Sequence, residues 1–317
     1  MRFTVSHQTE NELNLVVLHD NQSGTQAAIL PAFGALLHSF SVQTSRGPVN
    51  VIENYAGLGE LRQLLNTSYR SSKLSPFVCR IPDGKYRFAG REYEFRRKFT
   101  DGSAIHGILF DKAFEVTDEL GSDASASVTL QYHYLGDDEG YPFHYRCLVR
   151  YILRKDGMLL VETAVLNTGK QPLPIADGWH PYFTLGGSSD DWQLSFHASS
   201  MVEFNDKLIP TGRLVPNTLF STPQRIGDSF LDNCFHVDRQ QGGPACTLSN
   251  PANGLRLQFF PGDHYPYLQI YTPPHRRSIA IENLSGTPDC FNNGMGLLVL
   301  EPNKSQTFTV GYQLSAG

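Results

Sequence analysis

Apolar and polar residues alternate with a period of two over much of the chain. In residues 306–314, Phe308, Val310, Tyr312 and Leu314 fall on one face and Thr307, Thr309 and Gln313 on the other, the pattern of a half-buried antiparallel strand. Residues 145–153 repeat it, with Tyr145, Cys147, Val149, Tyr151 and Leu153 opposing Arg146 and Arg150. Asp156-Gly157 separates that run from a further one at 158–166, and an Asp-Gly pair between two such runs predicts a tight hairpin. Further strands are predicted at 128–135, 255–260, 267–272, 278–282 and 296–300. Helical spacing occurs once, in Leu58, Leu61, Leu64 and Leu65 within residues 57–66, and predicts a short helix. Strands do not alternate with helices, which excludes a parallel nucleotide-binding sheet. With no repeat, linker or composition break, the expectation is all-β: one large antiparallel β-sandwich domain over residues 1–317. Its chemistry is expected on long loops and one concave sheet face.

Composition adjusts this picture little. Hydrophobic residues make up 40% and charged ones 18% of the 317, enough for a sizeable core. The 28 glycines and 19 prolines suit a turn-rich β chain. Net charge is −5 and the densest basic run is Arg96-Arg97-Lys98, too short for a nucleic-acid footprint. The five cysteines, Cys79, Cys147, Cys234, Cys246 and Cys290, are odd in number and form no CxxC. Neither a disulfide framework nor a zinc site is indicated. No 18-residue apolar run predicts a membrane span, and the polar first ten residues lack a signal-peptide core. A reducing cytoplasm is the default expectation.

Several catalytic patterns are absent: no GxSxG, HExxH or Walker A loop occurs, and Gly294-Met295-Gly296 lacks a third glycine for a dinucleotide site. No cofactor or metal is therefore expected. Polar residues in unusual settings remain. His180 lies in Gly178-Trp179-His180-Pro181-Tyr182-Phe183. Pro181 favours an extended His180 and removes a backbone donor, which argues against the interior of a paired strand. Flanking aromatic rings suit the C–H faces of a sugar, though a structural histidine under an aromatic loop fits equally. Glu282 ends the predicted strand 278–282 on the face of Ser278 and Ala280, two small residues that leave room for a ligand; an ordinary edge charge fits as well. His106 precedes Gly107, which permits close backbone approach, and otherwise reads as a solvated loop histidine. Arg80 interrupts the apolar run from Phe77 to Ile81 and needs an anionic or polyhydroxyl partner, or a structural salt bridge. Asp232, in Leu231-Asp232-Asn233, reads as readily as a turn residue.

In this order, these segments resemble the aldose 1-epimerase (galactose mutarotase) family. The resemblance rests on Cys79-Arg80-Ile81 followed by residues 86–93, His106-Gly107 with Phe110-Asp111, and Gly140-Tyr141-Pro142. It continues with His180-Pro181-Tyr182-Phe183, and with Glu282 ahead of Pro288-Asp289 and Asn292. Each motif is weak; five in one order are specific. The resemblance implies a sugar-binding supersandwich and acid/base interconversion of α and β anomers. By it, Glu282 is the general base, His180 the general acid, and Arg80, His106 and Asp232 bind sugar hydroxyls. Trp179 is expected as a further substrate contact because its aromatic ring flanks His180.

Three positions depart from the family pattern: Trp179 replaces an asparagine, Ile108 a glycine, and Asn283-Leu284 a glutamine-containing segment. They leave the acid and base in place and put the identity of the sugar in question. Two other readings stay open. A hexose-phosphate 1-epimerase would need cations for the phosphate, with Arg80, Arg276 and Arg277 as candidates. A non-catalytic sugar-binding protein could use the same cleft. The expected partner is a small-molecule sugar, with no nucleic acid or membrane, and the chain acting as monomer or homodimer.

Overall fold

The computed structural model describes residues 1–206, 208–238 and 242–317. Its strands form three large antiparallel sheets. The first is a meander of five consecutive strands between Phe3 and Asn50. The second has nine strands, with His144–Arg154, Met158–Asn167, Ser305–Ser315 and Leu255–Pro261 adjacent at its centre. The third has eight. Across it run Pro210–Pro216, Ser200–Phe204, Asp232–His236, Tyr267–Tyr271, Ile279–Leu284, Gly178–His180 and Ser72–Leu74 in that order, and Tyr182–Phe183 also pairs with Ile279–Leu284.

The period-two segments become the centre of the nine-stranded sheet. Along Met158–Asn167, half-buried and buried residues alternate without interruption. The predicted hairpin is present, with Asp156 and Gly157 at φ of 61° and 65°. A side chain at Gly157 would lie 2.0 Å from the Leu314 carbonyl oxygen, so the turn requires glycine for space as well as for conformation. The predicted helix is Leu58–Ser68. Its buried Leu61 and Leu65 join Leu13, Leu15, Val17 and Tyr55 in an apolar cluster beneath the first sheet.

The inner faces of the second and third sheets pack together. Trp179 reaches Tyr151 at 5.9 Å between ring centroids and donates its indole N–H to Thr163 at 3.4 Å. Phe183 packs on Phe259 and Tyr312, and the Asn283 amide donates to the Tyr312 hydroxyl at 3.1 Å. Because side chains alternate along a strand, Trp179 and Asn283 facing inward turn His180 and Glu282 to the opposite face.

Three expectations change here. Gly178–His180 is a paired interior strand, bonded to Ile279–Leu284 on one side and Ser72–Leu74 on the other. Pro181 is accommodated because this short strand ends at His180 and pairing resumes at Tyr182. Glu282 is an interior residue rather than a strand end, since its strand runs on to Leu284. The strand predicted at 296–300 is confined to Leu298–Leu300, as Gly296 takes a φ of 79° against the Ser285 carbonyl.

Directly behind the His180 strand lies a charge pair with no exposure to solvent. Lys73 Nζ donates to Asp177 Oδ2 at 2.6 Å and to the Gly178 carbonyl at 3.0 Å, and sits 4.6 Å from the Trp179 ring centroid. The Tyr265 hydroxyl donates to the other Asp177 oxygen at 2.6 Å, and the Asp177 N–H donates to the Ser285 hydroxyl. Removing one member of such a pair strands a buried charge at a cost of about 3–5 kcal/mol, whereas apolar replacement of both is far milder. Lys73→Met is therefore expected to lower unfolding free energy by about 3–5 kcal/mol in urea denaturation, with Lys73→Met/Asp177→Leu recovering much of the loss. A single-variant loss below about 1 kcal/mol would mean the pair contributes no more than a surface salt bridge.

Candidate active site

The outward face of the eight-stranded sheet forms the floor of a cleft of about 210 Å³, the scale of one sugar ring. Glu282 is registered with Gln269 on the neighbouring strand, and Gln269 donates to Asp232 at 2.8 Å on the strand beyond. On the other side stands His180, whose Nε2 is 3.3 Å from Glu282 Oε1. The imidazole stacks on Tyr182, with ring centroids 4.9 Å apart and planes at 19°. These four polar side chains thus come from four adjacent strands.

The remaining walls are loops. Arg80 begins a two-residue strand that pairs with Ala104–Ile105, and the His106 N–H donates to the Cys79 carbonyl at 2.8 Å. His106 is buried, with φ of 58°, and its ring meets His180 edge-on at 4.8 Å and Tyr69 at 4.7 Å. Gly107 is what allows this: a side chain there would lie 2.3 Å from the Ser75 carbonyl oxygen. The Pro288-Asp289 and Asn292 motif is structural. The Asp289 N–H donates to the Arg80 carbonyl at 2.8 Å, and Asn292 donates to the Asp289 carboxylate at 2.6 Å. Burial pushes the Asp289 carboxyl up to about 6, against that hydrogen bond. Phe99, Ile105 and Phe204 supply apolar wall on which sugar C–H faces can pack.

Of the residues singled out from sequence, His180, Glu282, Arg80, His106 and Asp232 all line this one cleft. Trp179 does not; it is buried between the sheets with its indole N–H on Thr163, because strand alternation sends it opposite to its neighbour His180. Tyr182 is the aromatic residue that lies on His180. Arg80 satisfies both earlier readings, lining the cleft while pairing with Asp101 at 3.1 Å. A half-exposed pair of this kind is worth about 0–1 kcal/mol, so a ligand can recruit Arg80 cheaply. Arg276 is committed to Asp190 and to the Gly227 and Ser229 carbonyls, away from the cleft, and Arg277 is exposed and not among the lining residues. Among the described residues, the cation cluster that a sugar phosphate needs is not assembled.

Sequence reading missed Gln269 and Tyr69. Gln269 carried a usable signal, a lone amide between Leu268 and Ile270 in an apolar strand. Tyr69 carried none, since it reaches the cleft only through the left-handed turn that ends the helix.

Burial sets the electrostatics. It holds His180 down at about 4 and pushes Glu282 well above the usual carboxylate range, with the Asp232 charge adding to the rise. It also holds His106 well down, helped by His180 and Arg80. Asp232 is raised by burial, with Arg80 and Gln269 opposing. At 3.3 Å, each group lies within reach of the other's charge, and burial disfavours the charged form of both. His106 Nδ1, His180 Nδ1, Gln269 Oε1 and Glu282 Oε2 are buried without a protein hydrogen-bond partner. Buried polar atoms are normally satisfied, so this set is placed to be completed by a ligand. The nitrogen and oxygen donors of His106, His180 and Glu282 also lie within 4.8 Å of one another, close enough to share a metal ion.

The geometry defines a sheet-floored sugar-sized cleft with a buried histidine–carboxylate contact, and comparison with known proteins specifies it further. The sequence profile of the aldose 1-epimerase family matches residues 15–313. YihR of Escherichia coli is 29% identical over 238 residues, 73% of this chain and 74% of YihR. Human galactose mutarotase is 24% identical over 220 residues, 65% of this chain and 60% of that protein. Among solved structures, a galactose mutarotase-like protein from Clostridium acetobutylicum superposes with a TM-score of 0.87 at 16% identity, covering 100% of this chain and 99% of that one. Galactose 1-epimerase from Lactobacillus acidophilus gives 0.81 at 18% identity, covering 99% and 98%. The chain belongs to the aldose 1-epimerase family, a family of isomerases. No helix among the described residues is long and apolar enough to cross a membrane.

The depressed His180 predicts an unusual pH profile. An ordinary imidazole titrates near 6.5, but burial holds His180 down at about 4. The kcat/KM for anomer interconversion is expected to stay flat through pH 6.5 and to fall only toward pH 4. An acid limb centred between pH 6 and 7 in a polarimetric profile would show that His180 titrates as an exposed imidazole does.

Proposed function

We propose that this protein is an aldose 1-epimerase acting on an unphosphorylated aldose pyranose, with Glu282 and His180 as its acid/base pair. The observation that carries the proposal is the 3.3 Å contact of the two groups on the floor of a sugar-sized cleft. Ring opening of a hemiacetal removes the proton from the anomeric hydroxyl and delivers one to the ring oxygen. In the ionic form of the pair, the Glu282 carboxylate takes the first and the His180 imidazolium gives the second. The C1–O5 bond breaks, the O1 electron pair becomes the aldehyde carbonyl, and the pair is left as neutral imidazole and carboxylic acid. Rotation about C1–C2 presents the other aldehyde face, and reclosure runs the transfers backwards. Both forms of the pair hold one proton and carry no net charge, so the buried site never takes on an uncompensated ion.

Arg80, His106, Asp232 and Gln269 are placed to hold sugar hydroxyls, and Tyr182 and Phe99 to pack on C–H faces. The preference for an unphosphorylated sugar follows from charge: Arg80 alone among the three arginines considered lines the cleft, and it already faces Asp101. We take residues 1–317 as one domain, supported by a buried apolar cluster that draws on residues from Phe3 to Leu314. A reducing, cytoplasmic setting suits the five cysteines, all buried and free.

Glu282→Gln and His180→Asn are each expected to lower kcat by about 100- to 10,000-fold with the dissociation constant for sugar little changed, measured by polarimetry and calorimetry. Glucose 6-phosphate is expected to compete no better than glucose. Wild-type sugar binding without any acceleration of anomer exchange would instead identify a sugar-binding protein.

A further inference from the structure

We propose that His106, His180 and Glu282 form a binding site for a zinc-like divalent metal ion, and that the ion blocks the sugar cleft when bound. The three side chains are all buried, their donor atoms lie within 4.8 Å of one another, and each keeps a buried polar atom without a protein partner. Ligands bound to tetrahedral zinc at about 2.0–2.2 Å stand roughly 3.4 Å apart. His180 Nε2 and Glu282 Oε1 are already 3.3 Å apart, so only His106 has to close in, by on the order of 1 Å. His106 lies on a loop outside the eight-stranded sheet, so its approach leaves the sheet in place.

The donor set fixes the kind of metal. Two imidazoles and one carboxylate with a vacant fourth position facing a cavity suit zinc and its transition-metal neighbours. Magnesium and calcium require more oxygen ligands than this site offers. Glu282 and His180 cannot ligate a metal and exchange protons with a sugar at the same time, so metal and substrate exclude each other. The effect on activity rests on the mutarotase reading proposed above, whereas the binding itself does not.

The test uses the purified full chain freed of metal by a chelator, titrated with zinc chloride by calorimetry and with cobalt(II) by visible absorption. One zinc is expected to bind with a dissociation constant on the order of micromolar, and cobalt(II) to give the intense bands of a four- or five-coordinate site. Sugar at saturation should weaken zinc binding, and zinc should inhibit anomer exchange reversibly by chelator. His106→Ala should lower zinc affinity at least about 10- to 100-fold, whereas Cys79→Ser, which removes the thiol lining the same cleft, should leave it unchanged. Absence of stoichiometric binding at millimolar zinc, or equal affinity in wild type, His106→Ala and Glu282→Gln, overturns the proposal. Zinc binding in a protein that does not accelerate anomer exchange would sustain the metal site and remove the catalytic reading; active protein indifferent to zinc would do the reverse.

Discussion

The placement of the site depends on a charge pair that never meets the substrate. Lys73 and Asp177 are fully buried at 2.6 Å behind the His180 strand. Their network reaches Gly178 on that strand, Trp179 beside it, and Ser285 just beyond the Glu282 strand. In a β-sheet a one-residue slip sends every side chain to the opposite face. For the three-residue strand Gly178–His180, such a slip would bury His180 between the sheets and put Trp179 in the cleft. Three residues give few ladder hydrogen bonds with which to resist it. A buried ion pair adds little net stability, but its strict geometry penalises any other register.

The same burial that makes the floor rigid controls its protons. Neither His180 nor Glu282 would be poised for acid/base work in water, where both would be charged or neutral according to their ordinary ranges. Buried and in contact, they can pass one proton between them with little change in net charge. Anomer interconversion asks for one proton taken and one given, returned on reclosure, which is what such a pair can do without solvent. Arg80 lines the cleft half-exposed and weakly paired with Asp101, so a contact that must be remade for each sugar is also among the cheapest to break.

Much of this was legible in the chain. Period-two alternation located the long strands of the nine-stranded sheet, and Asp156-Gly157 located its hairpin, because local sterics decide such turns. The order of the motifs brought five residues of the cleft together, although each alone had an equally good ordinary reading. What sequence missed was long-range. Lys73 reads as a surface lysine until Asp177, 104 positions away, is seen beside it. Trp179 was assigned to the cleft because it adjoins His180, but adjacency along a strand places two side chains on opposite faces. Pro181 suggested an unpaired segment, and a three-residue strand that stops one position earlier evades the rule. Gln269 and Tyr69 became visible only through strand register and the end of the helix.

The central claim is that the buried His180–Glu282 pair interconverts sugar anomers. Exchange NMR on an aldose at anomeric equilibrium tests it most directly, since no net reaction is needed and the α and β signals report the exchange rate alone. The account predicts that catalytic amounts of protein raise α–β exchange far above the buffer rate without altering the anomer ratio, and that Glu282→Gln protein does not. Exchange at the buffer rate with every aldose tried, in the presence of folded wild-type protein, would contradict it.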